Sequence, residues 1–323
     1  MNPLVETWKR GWYRLINRRY YPPYIAPFSQ EIFRNVFYLF QGAYYQVYRR
    51  NWGEYYQNAH YETIKIIQFM LTHNRLPKEL GYRHFTKPKK DGTERLLTEP
   101  APLLKMIQHE ILKNRLNTAQ IHPSAIGFRK GKSIADHVWA HAGAAVIITA
   151  DIQDFFPNTH KDRVYDFWHG IYADDDVARL LTLITTYQGG LPQGAPTSPM
   201  LSNAVNFEMD KQIGKKIALS GGTYTRYGDD MVFSWHHRPP SDFERAVKAI
   251  IRSMGYDLHP RKGWQVYHRR DEPEITGVIL TKRGGVEVPD WVKSRIAELR
   301  RSKGDSERLA GYLGYQKMVE ARR

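Results

Sequence analysis

Three aspartates stand in settings where a free carboxylate is costly. Asp229 and Asp230 follow Gly228 between Tyr224-Thr225-Arg226-Tyr227 and Met231-Val232-Phe233-Ser234, two short runs with the aromatic and β-branched composition of paired strands. Gly-Asp between such runs is a hairpin-turn signal, so the two acids are expected at the tip of a tight β-hairpin. Asp151 ends the apolar run Val146-Ile147-Ile148-Thr149-Ala150, a buried-strand pattern in which an acid must be paired or metal-bound. Carboxylate oxygens are hard ligands that suit Mg²⁺, and three of them around two such ions would support phosphoryl or nucleotidyl transfer.

Other residues compete for attention. Asp174-Asp175-Asp176 also offers adjacent acids, but Val177-Ala178-Arg179-Leu180-Leu181 follows as a helical pattern, so these read as a helix cap. Gly127-Phe128-Arg129-Lys130-Gly131-Lys132-Ser133 is a glycine-rich basic turn without the spacing of a P-loop. Gly189 to Pro199 is dense in Gly and Pro and leads into a helix from about Met200 to Lys216, an arrangement that lets backbone approach a flat ligand. Lys87 to Leu97 reads as a basic hairpin turning at Asp91-Gly92. Its Arg95 sits among apolar residues, where a guanidinium calls for an anionic partner.

The elements that must position these groups can be read coarsely. The 323 residues are enough for two or three subdomains around a sizeable core. A formal net charge of +15 with 13% aromatic residues marks a folded basic protein that favours polyanions, nucleic acid first. The absence of cysteine excludes disulfides, zinc–thiolate sites and iron–sulfur clusters. Neither a signal peptide nor a membrane-spanning run is visible, so a soluble, cytoplasmic protein is expected.

Residues 1–80 read as helical, broken at Pro22-Pro23 and Pro27. Their rings (Phe33, Phe37, Tyr38, Phe40, Tyr44, Tyr45, Tyr48) interleave with Arg34, Arg49 and Arg50, as a stacking surface or, the favoured reading, as a helix core. Further helices are expected over Ile107–Leu116, after Asn158 or Thr159 as cap, and over 242–254. A basic turn lies at Leu258–Lys262 and a short strand at Ile275–Ile279, and a basic helical segment begins near Val288 with a break near Gly304.

In this order the motifs resemble the palm of reverse transcriptases. The resemblance rests on Asp151 with Phe155-Phe156, then Leu191-Pro192-Gln193-Gly194-Ala195-Pro196-Thr197-Ser198-Pro199, Tyr227-Gly228-Asp229-Asp230, and the basic turn with Lys262. The bacterial retron-type enzymes are the more similar group, through Gly127–Ser133, Asp154-Phe155-Phe156-Pro157 and Thr276-Gly277. The length leaves little room for the maturase domain that group II intron enzymes usually carry. Three departures stand out: Gly228 where the family usually has Ala, Ile275 before Thr276-Gly277 where Val is frequent, and His259-Pro260-Arg261-Lys262-Gly263 for the usual Asn-Pro-Lys-Lys-Thr. The first removes only a methyl group.

The resemblance implies an α+β, right-hand polymerase fold: an N-terminal helical extension (1–80), fingers (81–145), a palm of antiparallel sheet plus helices (146–284) and a helical thumb (285–323). It implies catalysis by Asp151, Asp229 and Asp230, with Ile152 joining them at two Mg²⁺ ions (Mn²⁺ as substitute). Asp230 is expected in an outer role, since neighbouring residues of a hairpin point apart. Phe156 would be a steric gate against the ribose 2′-hydroxyl, with Phe155 facing the core. Asp154, Gln193 and Gly194 would line the nucleotide site, Arg95 and Lys89 would neutralise the triphosphate, and Lys262 would meet the pyrophosphate as a general acid or a plain phosphate contact. Arg129, Lys130, Lys132, Tyr227, Thr276 and Gly277 are expected to contact nucleic acid. The implied partners are a structured noncoding RNA serving as template and primer, the RNA–DNA hybrid, dNTPs and an effector protein in anti-phage defence, with no membrane. Alternatives are another bacterial defence, CRISPR-associated or group II intron-like reverse transcriptase, or a non-catalytic RNA-binding protein that keeps the fold. Intact Asp151, Asp229, Asp230 and Gln193 argue against the last.

Overall fold

The structure, a computed structural model, describes residues 29–48, 52–88, 94–302 and 305–321. Pro22-Pro23, Pro27, Arg49, Arg50, Lys89, the Asp91-Gly92 turn and Gly304 lie outside the described residues.

Mixed three- and four-residue spacing of apolar side chains builds α1 (Tyr38–Tyr48), entered through a π-turn at Phe33–Phe37, and α2 (Trp52–His73). Phe37 and Phe40 are buried while Arg34 is exposed, so these rings form a helix core. β1 (Tyr82–Pro88) and β2 (Glu94–Pro100) pair antiparallel as the basic hairpin, with Lys87 opposite Arg95. There follow α3 (Pro102–Asn114), α4 (Ile134–Trp139), β3 (Val146–Asp151), α5 (Phe155–Asn158), α6 (Lys161–Tyr172), α7 (Asp175–Thr185), α8 (Ser198–Val205), α9 (Phe207–Ala218), β4 (Thr223–Tyr227), β5 (Asp230–Trp235), α10 (Phe243–Ser253) and β6 (Gln265–His268). Short strands β7 (Glu274–Ile275), β8 (Val278–Leu280) and β9 (Val286–Glu287) lead to α11 (Asp290–Arg301) and α12 (Ser306–Glu320). Among the described residues no helix is long and apolar enough to cross a membrane.

The central sheet is antiparallel throughout, in the order β4-β5-β3-β6. Its strands alternate with period two. Ile148, Ala150, Met231, Phe233 and Trp235 face a core shared with Met209, Ile213 and Ile217 of α9 and Val247 and Ile251 of α10. Ile147 and Val232 point the other way, into a core with the small sheet β7-β8-β9, Val292 and Ile296 of α11, and Val319 of α12. A third core joins α1, α2, α3, α6 and α7. The sheet's two faces are thus both covered, and what remains open is the end where Asp151 and the β4–β5 turn lie.

Local expectations fail at three points, each because of a tertiary partner. The helix expected over 200–216 is two helices parted at Asn206, whose buried side chain holds Arg163 of α6 (2.9 Å) and the Tyr256 hydroxyl (3.0 Å). The cap of α6 is His160, whose ring accepts the Asp162 amide, and not Asn158 or Thr159. Ile275–Ile279 is a hairpin and not one strand: Ile275 pairs with Val278 across Thr276 (φ +50°) and Gly277 (φ +86°), which cannot continue an extended chain. The acids expected to cap α7 do so, Asp174 accepting the Val177 amide at 2.9 Å.

Two buried histidines brace the second face of the sheet. His137 Nδ1 and His141 Nε2 each lie 2.7 Å from the Thr225 hydroxyl, and His141 Nδ1 lies 2.7 Å from that of Ser234. Burial, with the nearby Arg226 charge adding to it, pushes His137 down to about 3; burial and His137 push His141 well down too. A histidine whose folded pKa is depressed leaves more protons on the unfolded chain in acid, so its stabilisation is complete above about pH 6.5 and is lost as pH falls below it. Each group should cost up to about 1.4 kcal/mol per pH unit there. Thermal midpoints recorded from pH 7.5 to 5 should fall for the wild type and fall less steeply for His141→Gln. Parallel curves would show that these rings do not set the acid limb.

Candidate active site

β4 and β5 meet in a two-residue turn, with Tyr227 opposite Asp230 and Gly228-Asp229 between them. Gly228 has φ +67° and Asp229 does not share the positive sign, which is the pattern of a type II′ turn with glycine first. Gly228 therefore contributes more than a missing methyl group. An L-residue there costs about 1–2 kcal/mol, and its Cβ would sit 3.4 Å from the Phe128 ring.

Asp151 is the cross-strand partner of Asp230, so the two carboxylates leave the same face of the sheet side by side, and Asp229 stands exposed in the turn above them. Burial, then the charges of Asp229 and Asp151, push Asp230 up to about 7. The Thr276 hydroxyl, which donates to Asp230 at 3.1 Å, and the positive charge of Lys262 act against that rise. Negative charge is thus concentrated where a proton or a cation must relieve it. Among the described residues no three histidine, cysteine, aspartate or glutamate side chains close around a single point as a finished metal cage. The donors are nonetheless all oxygen, the set that Mg²⁺ and Mn²⁺ take. Ile152 adds one more: its amide donates to the Asp229 carbonyl (3.1 Å), while the bridge to Leu258 uses the carbonyls of Asp151 and Asp257 and leaves that of Ile152 out of the pairing.

Some of the remaining expected residues lie at this end of the sheet. Phe155 is buried and Phe156 half-buried, with ring centroids 5.5 Å apart, after Asp154 in a left-handed conformation (φ +45°). The Gln193-Gly194 loop is stitched on both sides: the Leu191 amide donates to the Phe156 carbonyl (3.0 Å) and the Thr98 amide of β2 donates to that of Gln193 (2.8 Å). Lys262 is exposed on a turn that His259 organises, its Nδ1 accepting the amides of Arg261 and Lys262 and its own amide donating to the Asp151 carbonyl. Gly277 follows Thr276 in its turn, its carbonyl held by the Tyr315 hydroxyl of α12 at 2.8 Å. Arg129 donates to the carbonyls of Pro123 and Ala125, so part of its guanidinium serves its own loop. Lys130 and Lys132 are exposed on that turn, away from the carboxylates' contacts described above. Lys89 lies outside the described residues, and Arg95 is described only by its register in β2.

Sequence reasoning missed the support beneath the hairpin. Arg226 is fully buried and binds Asp210 of α9 through two nitrogens (2.8 and 2.6 Å), donates to the Gly228 carbonyl (3.0 Å) and lies 5.4 Å over the Phe155 ring. Tyr224 donates to the same carboxylate at 2.7 Å. The signal was present: a guanidinium in a strand pattern needs an anion, the argument applied to Arg95.

A match to known families now has a geometry to stand on. Residues 87–315 match the family model described as reverse transcriptase (RNA-dependent DNA polymerase). The chain belongs to that family. Retron Mx162 reverse transcriptase of Myxococcus xanthus is 30% identical over 251 residues, covering 69% of this chain and 52% of that protein, so the chain spans about half of that relative's length. Retron Ec73 reverse transcriptase of Escherichia coli is 31% identical over 266 residues, covering 72% of this chain and 81% of that protein. Within the family the chain is therefore of the bacterial retron type, and its α+β architecture is the right-hand polymerase fold of that family. Apo telomerase from Candida tropicalis, truncated from its C-terminal domain, aligns with TM-score 0.49 and 12% identity over 69% of this chain and 59% of that one.

The Arg226 pair yields a measurable expectation. Arg226→Met leaves Asp210 charged and buried, which should cost about 3–5 kcal/mol, read as a lowered urea or thermal midpoint. Arg226→Met combined with Asp210→Leu should recover most of that loss. An unchanged midpoint in the single variant would mean that the pair does not hold the hairpin.

Proposed function

We propose that this chain is an RNA-templated DNA polymerase of retron type, copying a cognate structured noncoding RNA that serves as template and primer. The observation that carries the reading is the cross-strand pairing of Asp151 with Asp230 beneath a turn that presents Asp229, since a protein that only binds a polyanion has no use for three acids facing it.

Asp151, Asp229 and Asp230, with the Ile152 carbonyl, would hold two Mg²⁺ ions. Bound there, the ions would supply a lowered pKa for the primer 3′-hydroxyl and charge stabilisation for the departing pyrophosphate. Thr276 orients Asp230 through its hydroxyl. Phe156 stands against the sugar and excludes a 2′-hydroxyl, selecting dNTPs. Gln193 and Gly194 lie along the base and sugar, with Asp154 and Phe155 shaping the floor. Arg95 and Lys89 neutralise the triphosphate from the fingers, and Lys262 gives the pyrophosphate a cation and a proton source. Arg129, Lys130, Lys132, Tyr227 and Gly277 meet the template–primer, whose phosphates draw on the net charge of +15. In this reading the fingers are 81–145, the palm 146–284 and the thumb 285–323, with 1–80 as an extension. The biology that follows from the family is a cytoplasmic defence system against phage, completed by an effector protein.

Primer extension on an RNA template with dNTPs and Mg²⁺ tests the polymerase directly. The wild type should incorporate dNTPs and Asp229→Ala should fall to background; full activity in that variant, or none in the wild type, leaves only the RNA-binding alternative. Phe156→Ala should raise the use of rNTPs relative to dNTPs by about 10- to 200-fold, the range over which one group in a pocket decides selection. Unchanged discrimination would retire the gate.

A further inference from the structure

Phe128 carries an exposed ring on a left-handed backbone (φ +63°, 37% exposed), an uncommon conformation for a bulky side chain and one a glycine takes without strain. Such strain persists only where the surroundings over-determine it, and here they do. Asn203 of α8 donates to the Gly127 carbonyl at 2.7 Å, and the amides of Ile126 and Gly127 both donate to the Arg226 carbonyl. The Arg226 amide donates back to the Ser124 carbonyl at 2.7 Å. Gly127 lies so close to the hairpin that a Cβ on it would stand 3.0 Å from the Gly228 nitrogen. The segment is bolted to the β4–β5 turn, and what it delivers there is one ring. That ring lies with its centroid 6.1 Å from Phe156 and 5.7 Å from Tyr227. Phe156 thus has two ring neighbours, the buried Phe155 and the exposed Phe128.

We propose that Phe128 is a specificity-determining residue that acts through Phe156: it fixes the gate ring against the sugar and so sharpens the choice of deoxy- over ribonucleotides. This rests on the reading of Phe156 as the gate. Phe128, 37% exposed, belongs to none of the three cores.

The test compares Phe128→Gly, Phe128→Tyr, Phe156→Ala and the double variant Phe128→Gly/Phe156→Ala, reading thermal midpoint and the ratio of kcat/KM for dNTP over rNTP. Phe128→Gly relieves the backbone, so it should keep its thermal midpoint while the ratio falls by about 3- to 10-fold, the worth of one aromatic pair. Phe128→Tyr, which retains the ring, should retain the ratio. The double variant should discriminate no worse than Phe156→Ala alone, because Phe128 has no gate left to position. Wild-type discrimination in Phe128→Gly, or losses that multiply in the double variant, would overturn the proposal while leaving the gate intact. If Phe156→Ala itself keeps wild-type discrimination while still incorporating dNTPs, the gate reading fails and this one with it.

Discussion

A guanidinium and a carboxylate, both fully buried, sit directly beneath the β4–β5 hairpin. Removing two charges from water is expensive, and the attraction between Arg226 and Asp210 offsets that cost only because the geometry is bidentate and the spare donors are satisfied. Those spare donors are what matter to the site. One holds the Gly228 carbonyl, and the plane of the group covers Phe155, so the turn, strand β4, helix α9 and the floor under Phe156 are all referred to one rigid point. Because Asp210 neutralises Arg226 internally, the pair lends no net charge to the open end of the sheet. The crowding of acids there shows in Asp230, which burial and the charges of Asp229 and Asp151 push up to about 7.

The same end of the sheet collects backbone strain. Of the seven described non-glycine residues with positive φ, three belong to the site: Phe128, Asp154 and Thr276. Each costs stability and each aims something: a ring at Phe156, the short helix that carries Phe156, and a hydroxyl at Asp230. The last of these links the acids to the C-terminal helices, because Tyr315 of α12 fastens the carbonyl of the very next residue, Gly277. Helix α12 is thereby mechanically connected to that carboxylate. Beside the acids, opposing charge comes from Lys262, which acts against the upward push on Asp230.

Legibility followed the range of the interactions involved. The acids, the hairpin and the Asp174 cap were readable because hairpin turns, strand alternation and caps are settled by residues a few positions apart. The motif order carried the family, and with it the fold class. Thr276-Gly277 was read as part of a strand because threonine's β-propensity hid a turn that only the partners Asp230 and Tyr315 hold at positive φ. The break at Asn206 was hidden in the same way, by an amide whose use lies in α6 and at Tyr256.

By itself, then, the chain's sequence determined which residue types could do chemistry and that three acids belong together, and its basic charge pointed toward polyanions. The tertiary structure decided which acid faces which, why position 228 favours glycine, and which rings pack beside Phe156. Asp151 meets Asp230 through strand register, Arg226 meets Asp210 through helix packing, and Phe128 meets Phe156 across a loop stitched to the hairpin. These are contacts between residues 16 to 79 positions apart in the chain, a range at which propensity and periodicity carry no information and only the closed fold specifies the neighbour.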